Sequence, residues 1–261
     1  MPERIEDEKI DEQLLKSLSQ LLSDCGASPV LWGDYLLTIY GVPSIVGGLE
    51  FVVSDERLPS AVAALKKARR LCPCPNPRVC PVSRDIDRPH IPAFHMHLGS
   101  PRSAVHVSLW PHSEILGFVP NAGIPGSIGT GTDPRRRTAP YILASDTSLL
   151  PGPRLGRGNG ALSKGVGRIV VPSAQTLLEA YIRLSTRYLH ESHGAFYMSM
   201  IIYVEEYIEP DGFLNTALLS EPCRVFWHGL KKCQLSLWEL CDQFKVNIAS
   251  RAQNVGRKPG V

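Results

Sequence analysis

Three short stretches carry the side chains best suited to chemistry. Asp34 lies in LWGDYLL (31–37), Glu50 in GVPSIVGGLEFVV (41–53), and His106 with Ser108 in AVHVSLW (104–110). Carboxylates and an imidazole can give or take a proton near neutral pH, and a serine hydroxyl can hydrogen-bond a carbonyl. In AVHVSLW the side chains alternate. His106 and Ser108 share one strand face, while Val105, Val107 and Leu109 share the other. A second group has the composition of a metal site: Cys72, Cys74 and Cys80, followed by His90, His95 and His97. Its Cys-x-Cys gap, with no second cysteine pair, does not match the usual structural-zinc spacing. It reads instead as reduced thiols in a proline-rich loop. Seven cysteines, an odd number, argue against a full disulfide framework.

The elements that must position these groups follow from periodicity. Ile10, Leu14, Leu15, Leu18, Leu21 and Leu22 fall on one helical face ahead of Gly26, which predicts a helix over 10–25. A second helix is expected over 30–40, ended by Gly41 and Pro43. A buried strand over 49–53 follows, then an amphipathic helix over 58–70. Residues 95–98, 104–110 and 168–171 read as strands. Ser173 is a good N-cap for a helix over 174–189, and further helices are expected over 195–208 and 235–248. The stretches 72–92 and 117–167 hold too much proline and glycine for long regular elements. The glycines of GIPGSIGTGTDPRRR and PGPRLGRGNGALSKGVGR have no strand before them and no helix after them, as a phosphate-binding loop would need. They read as flexible surface loops. The expected fold is α+β: a small mixed sheet flanked by helices over 1–171, followed by a C-terminal helical part over 172–261.

Composition narrows the classes of partner. No apolar run reaches the ~18 residues of a membrane span. The acidic start MPERIEDEKIDEQ lacks a signal pattern, so a cytoplasmic protein with no membrane partner is expected. Residues 1–60 carry 4 basic and 11 acidic side chains, whereas 61–170 carry 15 basic and 5 acidic. The middle excess includes Arg135, Arg136 and Arg137, set among glycine and proline with almost no aromatics, so nucleic acid is not the expected partner. The sequence leaves the oligomeric state open.

Gly33-Asp34-Tyr35-Leu36-Leu37, Tyr40-Gly41-Val42-Pro43 and Gly48-Leu49-Glu50-Phe51-Val52-Val53 occur in that order. Val170-Val171-Pro172-Ser173-Ala174-Gln175-Thr176-Leu177-Leu178-Glu179-Ala180 comes much later. Together they resemble the minimal nucleotidyltransferase superfamily, and in overall style its fungal members. Those proteins have a glycine-rich helix start, a Tyr-Gly-Val-Pro turn and a strand bearing Asp-x-Asp. Their C-terminal helical part opens with a strand and then a helix. The resemblance covers roughly a fifth to a quarter of the chain. It implies a nucleotidyltransferase-like fold. It also implies chemistry in which three carboxylates, two on one strand and one on its neighbour, hold two divalent metals.

The chain departs from that pattern at each point. The first carboxylate position is Gly48, the second survives as Glu50, and the third is taken by His106 or Ser108. Asp34 stands where the family has a small residue beside the triphosphate. Like charges ~4 Å apart repel by about 4 kcal/mol at an effective dielectric of ~20. Metal-dependent nucleotidyl transfer is therefore not expected. The reading is a degenerate, metal-free pocket for a small-molecule substrate, acting as a cofactor-independent isomerase or cyclase of biosynthetic type. Asp34, Glu50 and His106 are the catalytic candidates. Gly33, Tyr35, Gly48 and Ser108 are the substrate-binding candidates, with no metal and no cofactor. Two alternatives stand beside it: a non-catalytic interaction or scaffold protein, and an active Mg-dependent nucleotidyltransferase with displaced carboxylates. The plainest account of the polar residues is that they satisfy one another's hydrogen bonds.

Overall fold

The computed structural model describes residues 10–76, 80, 82, 91–123, 126–129, 137–189, 193–233 and 235–256, without the side chains of 193 and 251–256. His90, Arg135 and Arg136 lie outside the described residues.

The first helix, α1 (Glu12–Asp24), starts where the Asp11 carboxylate accepts from the Leu14 amide at 2.8 Å. It buries Leu14, Leu15, Leu18 and Leu22. Gly26, at φ +77, ends it by donating to Ser23 O at 2.8 Å. The helix expected over 30–40 begins three residues late. Val30–Trp32 is instead a fully buried strand, β1, and Gly33 at φ +72 turns the chain into α2 (Gly33–Ile39). A short apolar run does not by itself distinguish a buried strand from a helix, and here sheet pairing decides. β2 (Gly48–Val53) is buried along its whole length. α3 (Leu58–Lys66) is shorter than expected.

The remaining strands are β3 (Leu71–Pro73), β4 (Phe94–Leu98), β5 (His106–Pro111), β6 (Ile128–Gly129), β7 (Tyr141–Leu143) and β8 (Val170–Pro172). A single helical turn, α4 (His112–Ile115), follows β5. All eight strands form one sheet in the order β3-β4-β5-β2-β1-β8-β7-β6. It is mixed: β5/β2, β1/β8 and β7/β6 run parallel, and the other pairs are antiparallel. The architecture is thus α+β, an eight-stranded mixed sheet flanked by helices. Leu31, Phe51 and Leu109 share one cross-strand row and are fully buried in its core.

α5 (Ala174–Arg187) presents Leu177, Leu178, Tyr181, Ile182 and Leu184 to the interior. Ser173 precedes it, but its hydroxyl lies 3.0 Å from Thr176 Oγ1 and bonds no backbone amide. α6 (His193–Tyr203) runs on into a π-helical turn at Val204–Ile208. α7 (Glu221–Lys232) and α8 (Leu237–Gly256) complete the chain. Among the described residues, no helix is long and apolar enough to cross a membrane.

Within 117–167 the described residues hold no helix of even four residues, as the proline and glycine density predicts, while most of 77–90 lies outside the described residues and the described Val82 is helical. Part of that irregular chain is nevertheless held firmly. Gly158 N donates to Gly41 O at 3.0 Å and Gly160 N to Thr38 O at 2.9 Å, so the strap over 151–162 closes the C-terminal end of α2. A Cβ on Gly158 would lie 2.5 Å from both Thr38 O and Val42 O, so only glycine fits there. Arg157 fixes the strap. It donates to Gly41 O at 2.8 Å and to Tyr207 O at 2.8 Å, pairs with Asp211 at 2.8 Å, and stacks on the Tyr207 ring at 4.9 Å.

Candidate functional site

The sheet aligns the residues that the sequence separates. Trp32 stands opposite Glu50, Glu50 opposite Ser108, and Ser108 opposite His95. In the next row Gly48 stands opposite His106 and His106 opposite His97. Partners across neighbouring strands point to one side of a sheet, so both rows share a face. Trp110, two positions beyond Ser108 on β5, joins that face.

Glu50 is buried, and the Trp110 indole Nε1–H donates to its Oε2 at 2.8 Å. Its other oxygen lies against the start of α2, where a Cβ on Gly33 would fall 2.5 Å from Oε1. Aromatic side chains gather around this carboxylate. Trp32 meets Tyr181 with ring centroids 5.4 Å apart, and Tyr181 meets Tyr197 at 6.3 Å. Burial drives the Tyr181 hydroxyl well above its ordinary range, and the charges of Asp34, Tyr197 and Glu50 push it further. Burial, then Tyr188 and Glu50, raise Tyr197 likewise. Both phenols therefore remain protonated donors at any physiological pH. Asp34, half-buried in the first turn of α2, belongs to the same electrostatic neighbourhood.

His106 and Gly48 are locked together. A Cβ on Gly48 would fall 2.6 Å from His106 O and 2.7 Å from its Nε2, so the histidine occupies the space that a side chain at 48 would need. His106 Nδ1 lies 3.4 Å from Ala104 O. Ser108 is 1% exposed, and its hydroxyl makes no hydrogen bond among the described residues. Tyr35 is buried on α2. Burial raises its hydroxyl to about 12, with help from Glu12 and Asp11 at the start of α1, which places it toward that helix.

Sequence reasoning singled out Gly33, Asp34, Tyr35, Gly48, Glu50, His106 and Ser108, and did not single out Trp32, Trp110, Tyr181 and Tyr197. For Trp110 a signal existed: it continues the His106, Ser108 alternation. The two tyrosines come from helices more than a hundred residues away, and no local pattern links them to Glu50. Strands β2 and β5 together carry a single carboxylate, Glu50. Of the cysteines and histidines grouped from the sequence, Cys74, Cys80, His95 and His97 come together beside these rows, whereas Cys72 is not among them and His90 lies outside the described residues. Burial, then the charges of His97 and His106, lower His95 to about 4, so its ring is neutral and its nitrogen lone pair is available. No family model, curated protein or solved structure matches the chain.

Proposed function

We propose that this chain is a degenerate nucleotidyltransferase-fold protein whose Glu50 face serves a small organic molecule without metal-dependent phosphoryl chemistry. The observation that carries the reading is the setting of Glu50. Its carboxylate is held by Trp110, backed by Gly33 and enclosed by Trp32, Tyr181 and Tyr197. Such a setting favours a neutral molecule over a triphosphate, because Asp34 and Glu50 repel anions and the buried rings of Trp32, Tyr181 and Tyr197 bring no compensating positive charge.

In this reading Glu50 takes a proton from one carbon of the substrate and returns it to another. Ser108, whose hydroxyl has donor capacity to spare, hydrogen-bonds a carbonyl oxygen and stabilises the charge that develops there. No oxidant or cofactor is consumed, as befits an isomerase or cyclase. The count of carboxylates argues against the parent chemistry: two divalent ions need three, and Glu50 alone occupies the corresponding strands.

A thermal-shift screen tests the proposal. A ligand at 100 times its dissociation constant adds about 2.7 kcal/mol of stability. Carbonyl-bearing organic metabolites are expected to raise the melting temperature without added Mg²⁺, and Glu50→Gln is expected to abolish the shift. ATP or CTP with Mg²⁺ should leave it unchanged. Mg²⁺-dependent consumption of a nucleoside triphosphate, lost in Glu50→Gln, would overturn the reading in favour of the parent activity. Binding of neither class would transfer the case to a scaffold role.

A further inference from the structure

We infer that Cys74, Cys80, His95 and His97 form a closed, structural Zn²⁺ site that ties the chain at Cys74 and Cys80 to strand β4. The inference is independent of any role for Glu50.

The four ligand atoms lie within 4.8 Å of one another. Cys80 Sγ is 3.4 Å from His95 Nε2 and 3.5 Å from His97 Nε2. With Zn–S of about 2.3 Å and Zn–N of about 2.0–2.1 Å, a tetrahedral ion sets its sulfur and nitrogen ligands about 3.5 Å apart. The observed spacings are the edges of that tetrahedron. Hydrogen bonding would need Cys80 to donate to one imidazole and accept from the other, whereas a single ion accounts for the convergence of all four ligand atoms. All seven cysteines are unpaired, so no disulfide competes for Cys74 or Cys80.

The scaffold suits a metal. His95 and His97, two apart on β4, project from the same face, and their rings meet edge to face at 5.4 Å. His97 turns its Nδ1 to Ser103 O at 2.8 Å. Donation from that nitrogen fixes the tautomer that leaves Nε2 free for the ion, the usual supporting bond behind a metal-ligating histidine. Cys80, His95 and His97 are buried, and Cys74 is half-buried. Two thiols release their protons to solvent on binding, so the dication meets two thiolates and the buried complex is neutral.

The ligand set also selects the ion. Two sulfurs and two nitrogens around one point, with no fifth position, is a structural rather than a catalytic zinc arrangement. A binuclear iron–sulfur centre would put cysteines and histidines on different irons, farther apart than Cys80 stands from either ring. Cys72, the third cysteine of the cluster, bonds Gly99 O at 3.4 Å and is not a ligand.

The test measures metal in the purified full chain. Protein from zinc-supplemented cells, isolated without chelator, is expected to hold about one equivalent of zinc. Cys72→Ser should retain it, and Cys80→Ser and His97→Ala should lose at least tenfold. Should those variants fail to fold, cobalt decides. Wild-type protein stripped of zinc and given Co²⁺ should show the visible bands and thiolate charge transfer of a tetrahedral dithiolate site, displaced by one equivalent of zinc. Metal below about a tenth of an equivalent with no cobalt spectrum would overturn the site. So would a Cys74–Cys80 disulfide in a non-reducing peptide map of freshly isolated protein.

Discussion

The indole Nε1–H of Trp110 donates to Oε2 of Glu50 at 2.8 Å, joining neighbouring parallel strands through side chains that are both under a tenth exposed. That bond orients the one carboxylate on its strand, with the opposite oxygen facing the start of α2. It also makes the two residues separable by substitution.

Glu50→Gln keeps an acceptor for Trp110, so the fold should survive with a melting temperature within about 5 °C of wild type. Ligand turnover should fall by about 10²-fold or more, the usual cost of losing a general acid or base. Trp110→Phe should instead destabilise by about 1–3 kcal/mol, because the carboxylate loses a buried donor. Urea unfolding of both variants checks this. Full function in Glu50→Gln would remove Glu50 from the chemistry.

Gly48 stands where the sequence resemblance would put a carboxylate, and no side chain fits at that position. Any Cβ there meets the His106 carbonyl at 2.6 Å, which is backbone and cannot swing aside. Gly48→Ala should cost about 1–3 kcal/mol through overpacking. Gly48→Asp should cost more and should confer no Mg²⁺-dependent triphosphate consumption. Differential scanning calorimetry and a pyrophosphate-release assay read the two parts.

Arg157 serves three acceptors at once, Gly41 O, Tyr207 O and the Asp211 carboxylate. Arg157→Ala should therefore destabilise by about 1–3 kcal/mol, more than an exposed ion pair would suggest. A double-mutant cycle with Asp211→Asn should return a coupling of about 1 kcal/mol. A coupling near zero would mean that the carbonyl bonds alone hold the strap.

His112 links pH to stability. Burial lowers its pKa against the upward pull of Asp55, and its Nε2 lies 3.1 Å from the Tyr141 hydroxyl. The folded chain thus binds this proton more weakly than the unfolded chain, whose histidine titrates near 6.5. The stability is fully present above about pH 6.5 and is lost as pH falls toward the lowered value. Urea midpoints at about pH 7.5 and about pH 5.5 should differ less in His112→Gln than in wild type.

The sequence showed the long amphipathic elements well. α1 and α5 declare themselves by leucines at helical spacing, and β2 and β5 by apolar runs with alternation. The failures are of another kind. Val30–Trp32 is too short to have a period of its own, and only its partners Val52, Phe51 and Glu50 on β2 and Val170 on β8 make it a strand. α7 was passed over although it carries Pro222 at its start, a common helix-opening residue. At the site, the strand residues were legible because β-alternation fixes facing. The aromatic cover was not, since Tyr181 and Tyr197 reach Glu50 only through tertiary packing. The Cys and His cluster was visible in composition, but its true membership was not. Strand β4 supplies two ligands at one-residue spacing, an arrangement that linear zinc patterns do not describe.

The position of β8 in the sheet has a consequence for how the chain comes into being. β8 lies between β1 and β7, and its pairing with β1 joins Val30 to Val170. Until residue 172 has left the ribosome, β1 has one ladder unmade, and β6 and β7 have no route into the main sheet. The growing chain thus carries an open, apolar strand edge for the whole time between the making of β1 and of β8, the condition that invites mispairing. Closing a loop of that length before any contact repays it also slows folding. Newly made chains should lean on chaperones until the segment around Val170 arrives and seats the last strand.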